Sequence, residues 1–234
     1  MKLALIGYGA MGRLVENLAR AAGDEIGATI TSRDATEDAA QLAASLRGHD
    51  AAIEFSVGSA VLRNVEACAR ASVPLVEGTT GWKDHEADVR RIVEAYDAAL
   101  VFGANFSIGV NVFYRIVGHA ANLMAELDQY QAFIEEEHHS RKRDAPSGTA
   151  LKLKDLMAKH TKSEIPIASV RAGHIPGTHR VGFDSAADQI TLTHMARSRE
   201  GFAAGALTAA HWIIGRKGVY EFSDVITQML RSYE

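Results

Sequence analysis

Hydrophobic and polar positions follow two regimes along the chain. Through residue 102, short apolar runs alternate with longer amphipathic stretches. The runs at residues 2–6, 26–30, 51–55, 74–76 and 99–102 predict strands. The stretches at 10–22, 37–46, 59–71 and 84–96 predict helices; in the last, Val89, Ile92, Val93 and Tyr96 recur at helical spacing. Strand–helix alternation of this kind predicts a parallel sheet covered by helices on both faces.

After about residue 105 the rhythm changes. A long helix is expected over 109–127, then a strand over 130–138 with Tyr130, Ala132 and Ile134 on one face. A polar loop at 140–146 leads to Ser147, a predicted N-cap for a helix running to about residue 160. Strands expected at 167–174, 179–185 and 189–195 lie close together, which predicts an α+β arrangement with antiparallel or mixed pairing. Helices at 203–214 and 222–231 close the chain and are expected to return to the first domain. The expected division is therefore 1–106 plus 203–234 against 107–202.

Composition narrows the function classes. The 234 residues carry 25 Lys and Arg against 29 Asp and Glu, a formal charge of −4, so no electrostatic case exists for nucleic acid or an anionic membrane. Hydrophobic residues make up 47%, enough for a real core. The one cysteine, Cys68, excludes an internal disulfide. No apolar run nears the ~20 residues that span a bilayer, and residues 3–6 are too short for a signal sequence, so a cytoplasmic protein is expected.

The first chemical motif is Gly7-Tyr8-Gly9-Ala10-Met11-Gly12, a G-x-G-x-x-G between the first strand and first helix. Gly7 permits the tight turn, Gly9 lets backbone approach a pyrophosphate, and Gly12 packs helix on strand. The helix N-terminus, with Ala10 and Met11, offers N–H groups and partial positive charge to the phosphates. A glycine turn that binds nothing is the alternative, and the strand–turn–helix context weighs against it. About 20 residues on, Thr31-Ser32-Arg33 precede the first carboxylate, Asp34. Hydroxyls plus the Arg33 guanidinium suit a 2′-phosphate, so NADPH is the expected cofactor, with NADH possible. The bland reading is an ordinary loop arginine.

The second motif runs from Glu137 through His138, His139 and Lys142 to Asp144-Ala145-Pro146-Ser147-Gly148-Thr149-Ala150. It joins a group that titrates near neutrality, a fixed cation and a helix N-terminus. A substrate with carboxylates beside a reducible carbon fits, with His138 or His139 as proton donor. Neighbouring strand residues point to opposite faces, so at most one of the two is expected to be catalytic. Glu135–Glu137 are read as an exposed or paired face. No metal is expected, because His138, His139, His174, His179 and His194 make no recognised ligand spacing.

The segment Glu137–Ala150 resembles the signature E-x-H-H-x-x-K-x-D-A-P-S-G-T-A of the dihydrodipicolinate (4-hydroxy-tetrahydrodipicolinate) reductase family, with one residue fewer between glutamate and the histidine pair. The resemblance extends to residues 77–81, 104–111, 171–173, 177–179 and 198–199. It implies a Rossmann-type parallel-sheet domain plus a smaller α+β domain that binds substrate and assembles a homotetramer. The implied reaction is reduction of a cyclic dicarboxylate, with loss of water, by NAD(P)H in diaminopimelate and lysine biosynthesis. By the same resemblance His138 is the general acid and Lys142 assists it, while His139, Gly148 and Thr149 bind substrate. Ser147, in the same helix-opening turn, is grouped with them because that turn can hold a carboxylate. Gly78, Thr79 and Thr80 contact the nicotinamide end of the cofactor, and Ala104, Asn105 and Phe106 its carboxamide. Two departures stand out. The glycine turn is shorter than in many relatives and lacks their basic residue, and the acid usual after the second strand is missing. Two rivals share the glycine turn. Another small NAD(P)-dependent imine or amino-acid reductase would not need the His-His-Lys loop, and a non-enzymatic dinucleotide sensor would want a basic DNA-binding element, which is not seen.

Overall fold

The computed structural model describes residues 1–34, 36–161 and 163–231 and divides into two compact units. Unit 1 comprises Met1–Ile108 and Glu200–Glu234; unit 2 is Gly109–Arg199.

Unit 1 is built on β1 (Lys2–Ile6), β2 (Glu25–Ile30), β3 (Ala51–Glu54), β4 (Leu75–Glu77), β5 (Ala99–Phe102) and β10 (Gly218–Glu221). All pair in parallel, in the order β10-β5-β4-β3-β1-β2. Their near-continuous apolar content follows from burial on both faces. Helices α2 (Ala39–Leu46), α3 (Val61–Ala71) and α4 (Glu86–Ala95) cover one face over Ile6, Ala52, Leu75 and Leu100. Helices α1 (Ala10–Ala21) and α7 (Glu200–Ile213) pack together, α7 against β3, β4 and β5, and α8 (Phe222–Arg231) follows β10.

Two local differences from the sequence expectation have simple causes. Helix α2 starts at Ala39 rather than 37 because Asp38 forms a capping box, with its Oδ1 accepting from the Ala40 and Gln41 N–H groups at 2.9 and 2.8 Å. Strand β10 falls between the last two expected helices, where the sequence predicts no element. Its four residues, Gly-Val-Tyr-Glu, are too short to show a period, and the edge of β5 supplies the pairing.

Unit 2 contains α5 (Ile108–Met124, its first residue in unit 1), β6 (Gln131–His138), α6 (Gly148–Met157), β7 (Ile167–Arg171), β8 (Thr178–Asp184) and β9 (Gln189–Met195). The sheet order is β7-β6-β8-β9, with β6–β7 parallel and the other pairs antiparallel. One face buries Ile134, Val181 and Phe183 under Phe113 and Val117 of α5 and Leu153 and Met157 of α6. The other face carries Glu135, paired with Arg180 at 2.6 Å, and the exposed Val170 and Met195. Among the described residues no helix is long and apolar enough to cross a membrane.

Candidate functional site

In unit 1 the strand order reverses between β1 and β3, so the loops at their C-terminal ends diverge and leave a ligand crevice there. Gly7 has φ +90°, and a Cβ on it would strike the Phe55 carbonyl, while one on Gly12 would strike Gly7 itself. Beside Gly9, by contrast, nothing lies within 4 Å of an added Cβ. Gly9 caps α1 without a side-chain hydrogen bond, and no acid stands in the first turn. The N–H groups around Ala10 and Met11 are therefore presented to an anion in open space, which is the fit a dinucleotide pyrophosphate requires.

After β2 the residues Ser32–Asp34 form a 3-10 turn. This turn folds Asp34 back so that its Oδ2 accepts from the Thr31 N–H at 2.7 Å and the Thr31 hydroxyl at 3.2 Å. A carboxylate thus does stand at the end of β2, closer than counting along the chain suggests. Ser32 and Arg33 are exposed.

The loop after β4 is tied to the loop after β3. The Ser56 N–H donates to Thr79 Oγ1 at 2.9 Å, the Thr79 N–H donates to the Glu77 carboxylate, and Trp82 Nε1 donates to the Thr79 carbonyl at 2.9 Å. Gly78 is half-buried and Thr80 exposed. Ala104 is exposed, and Asn105 Oδ1 accepts from the Ser107 N–H at 2.9 Å. Phe106 is 2% exposed between the rings of Phe55 and Phe222, so its side chain is a packing element.

In unit 2 the alternation that buries Ile134 also buries Glu136 and His138, two and four residues on. Glu136 is 0% exposed. Its two oxygens accept from Arg171 Nη1 at 3.0 Å and Nη2 at 2.6 Å, from the Ser147 N–H at 3.2 Å and from His138 Nδ1. Burial alone would raise the Glu136 carboxyl. Hydrogen bonds from Arg171, Ser169 and His138 outweigh it and hold the group down at about 2. His138 is 8% exposed, and its Nε2 lies 3.1 Å from where a Cβ on Gly177 would stand. Burial depresses its pKa, Glu136 raises it, and Lys142 and Arg171 depress it further, leaving it below the ordinary 6.5. His179, register partner of Glu136, sits edge-on to His138 with ring centroids 5.1 Å apart. Its Nε2 is 3.1 Å from Ser147 Oγ, and burial and the neighbouring His138 depress it to about 4.

The remaining expected residues surround this cluster. His139 is half-buried, and its buried Nδ1 has no hydrogen-bond partner among the described residues. Lys142 pairs with Asp144 at 2.8 Å, and Arg171 also donates to the Asp144 carbonyl at 2.6 Å, so one guanidinium fastens both strand and loop. Ser147 caps α6 as expected, its Oγ accepting from the Ala150 N–H at 3.2 Å, but at 2% exposure its side chain holds the loop rather than facing outward. Gly148 is exposed, and Thr149 hydrogen-bonds Tyr114.

Sequence patterning assigns Glu136 and Arg171 no role of their own; within the exposed or paired face expected over 135–137, Glu136 is the paired and buried member. The signal was there: extending the Tyr130–Ala132–Ile134 parity two more steps reaches Glu136 and His138. Counted from Glu136, the E-x-H-H spacing is also complete, with no residue missing. Glu136, His138 and His179 place possible ligand atoms within 4.8 Å of one another. Both Glu136 oxygens, however, are occupied by N–H donors with a guanidinium in front of them, so the cluster is a hydrogen-bond network in which a cation already stands.

Residues 1–106 match the family model for the N-terminus of dihydrodipicolinate reductase, and residues 109–226 the model for its C-terminus. A protein of Christiangramia forsetii called 4-hydroxy-tetrahydrodipicolinate reductase is 36% identical over 99% of this chain and 100% of its own length. One of the same name from Archaeoglobus fulgidus is 36% identical over 97% of this chain and 100% of its own. The solved structure of dipicolinate-bound dihydrodipicolinate reductase from Paenisporosarcina sp. TG-14 superposes with a TM-score of 0.79 over 96% of this chain and 99% of that one, at 20% identity, a likeness of fold.

Proposed function

The chain belongs to the dihydrodipicolinate reductase family, and from that premise we propose that it reduces (2S,4S)-4-hydroxy-2,3,4,5-tetrahydrodipicolinate to tetrahydrodipicolinate, with loss of water, in lysine and diaminopimelate biosynthesis. The observation that carries the reading for this chain is the buried Glu136–His138 pair beside the Ser147-capped start of α6. A nicotinamide dinucleotide, when bound, supplies the hydride. Its pyrophosphate belongs on the Gly7–Gly12 turn, its nicotinamide end at Gly78, Thr79 and Thr80, and its carboxamide at the backbone of Ala104, Asn105 and Phe106.

The chain's own residues do the rest. Glu136 accepts from His138 Nδ1, which fixes the tautomer and leaves Nε2 to carry the transferable proton. Arg171 keeps Glu136 ionised. Lys142, His139 and the N–H groups of Gly148 and Thr149 at the start of α6 receive the substrate carboxylates. A dianion placed there raises the depressed pKa of His138 and loads its proton on binding.

Two finer readings belong to the same proposal. NADPH is preferred because Arg33 is exposed for a 2′-phosphate while Asp34 is turned onto Thr31. Arg33→Ala then lowers kcat/KM for NADPH and leaves that for NADH nearly unchanged; a wild-type preference for NADH refutes the reading. The open face of the unit 2 sheet forms the homotetramer contact. The test of the activity is to supply synthase-generated substrate with NADPH and follow loss of the reduced cofactor. An imine or amino-acid reductase would instead consume it with a 2-oxo acid and ammonia.

A further inference from the structure

Two acids outside the chemistry described so far lie in the centre of the unit 1 sheet. Glu54 ends β3 and Glu77 ends β4; they are direct register partners, and each is 0% exposed. Glu54 Oε1 accepts from the Ser56 hydroxyl at 2.5 Å and from Asn64 Nδ2 at 2.6 Å. Glu77 Oε1 accepts from the Thr79 N–H. The Oε2 atom of each has no hydrogen-bond partner among the described residues, and each carboxyl acts electrostatically on the other.

The surroundings offer little to neutralise a second charge. The face they occupy is covered by α3, which brings Asn64, the buried Cys68 thiol and Arg63. The Arg63 guanidinium bonds Asn64 Oδ1 and the carbonyls of Asp34 and Glu37, and it acts on Glu54 through space. Ile6 and Phe102, the flanking register partners, are apolar. Helix α7 covers the opposite face with a buried surface of Ala, Gly, Leu and Ile. Two fully buried carboxylates on paired positions of adjacent strands cannot both ionise in such a site, and ionising both would leave two buried acceptors unsatisfied.

We propose that Glu54 and Glu77 share one proton at neutral pH, carried on Glu77 Oε2 and donated to Glu54 Oε2, and that this bond positions the Ser56 and Thr79 loops for the nicotinamide end of the cofactor. Glu54 keeps the charge because Ser56 and Asn64 serve it and the Arg63 guanidinium acts on it through space, whereas Glu77 accepts only from Thr79 among the described residues and is pushed up by burial and by Glu54. The loops are joined a second time by the Ser56–Thr79 bond, so each acid acts on the crevice through the backbone that follows it. The positioning half rests on the cofactor reading above; the shared proton does not.

The first test is infrared spectroscopy of the ligand-free protein at neutral pH. The wild type shows a protonated-carboxyl C=O band that both Glu77→Gln and Glu54→Gln remove; its absence from the wild type overturns the shared proton. In Glu77→Gln the amide donates as the acid did, so this variant keeps wild-type NADPH affinity and loses its alkaline pH dependence, while Glu77→Ala weakens binding roughly tenfold by leaving Glu54 Oε2 without a donor. Cofactor dissociation constants measured by fluorescence from neutral to alkaline pH read this out. Equal weakening by Gln and Ala, or no change in either, overturns the positioning role. If the wild type binds no dinucleotide, the cofactor reading fails while the band still decides the pair.

Discussion

At His179 a single side chain ties the cluster to acid stability. Its pKa falls from 6.5 to about 4 on folding, chiefly by burial and then by His138, so the unfolded chain binds the extra proton between those values. The folded form therefore has its full stability above pH 6.5 and loses it as pH falls through 4. Glu136, held at about 2 against an ordinary 4.5, adds a loss that begins below 4.5. The unfolding midpoint of His179→Gln, followed across this range in denaturant, should show a flatter slope between pH 6.5 and 4 than the wild type. An unchanged slope would mean that His179 is not buried in its neutral form. At this scale the sequence was legible where a motif has fixed spacing, as in the glycine turn and at His138. It was least legible at Glu54, Glu77, Glu136 and Arg171. A charged residue is ordinarily expected at the surface, and only the packed strand partners reveal that each of these has a buried counterpart.

Elements were read more reliably than their ends. Strand β1, strand β9 and helix α8 match their expected ranges because apolar runs and turn residues bound them sharply. Helix α5 stops at Met124 and α6 at Met157, each about a turn early, because the chain there tightens into single turns in which the Leu127 N–H donates to the Met124 carbonyl and the His160 N–H to the Met157 carbonyl. The start of α6 matters most for function. Ser147 caps it, delivers a backbone N–H to Glu136 and meets His179 with its hydroxyl. Ser147→Ala should cost about 1 kcal/mol for the cap alone and more once the His179 partner is lost, with kcat falling as the loop loosens. Ser147→Thr, which keeps the hydroxyl, should recover most of both. Denaturant midpoints and steady-state kinetics on the two variants check this, and equal behaviour of Ala and Thr would contradict it.

Across the whole chain, unit 1 has the dinucleotide architecture and unit 2 has the buried Glu136–His138–Arg171 cluster proposed above to hold and protonate a dicarboxylate. The exposed Val170, at 48%, and Met195, at 65%, mark the open sheet face of unit 2 as the tetramer contact proposed above. Light scattering should give four times the 25.2 kDa chain mass, and Val170→Glu should reduce it; a monomeric wild type would rule the contact out. Proton donation by His138 is tested by His138→Gln in the coupled assay with synthase-generated substrate and NADPH. The wild type should consume one reduced cofactor per substrate. The variant should lose on the order of 10²–10⁴-fold in kcat while binding NADPH as before. Wild-type turnover in that variant would place the proton elsewhere and contradict the assignment.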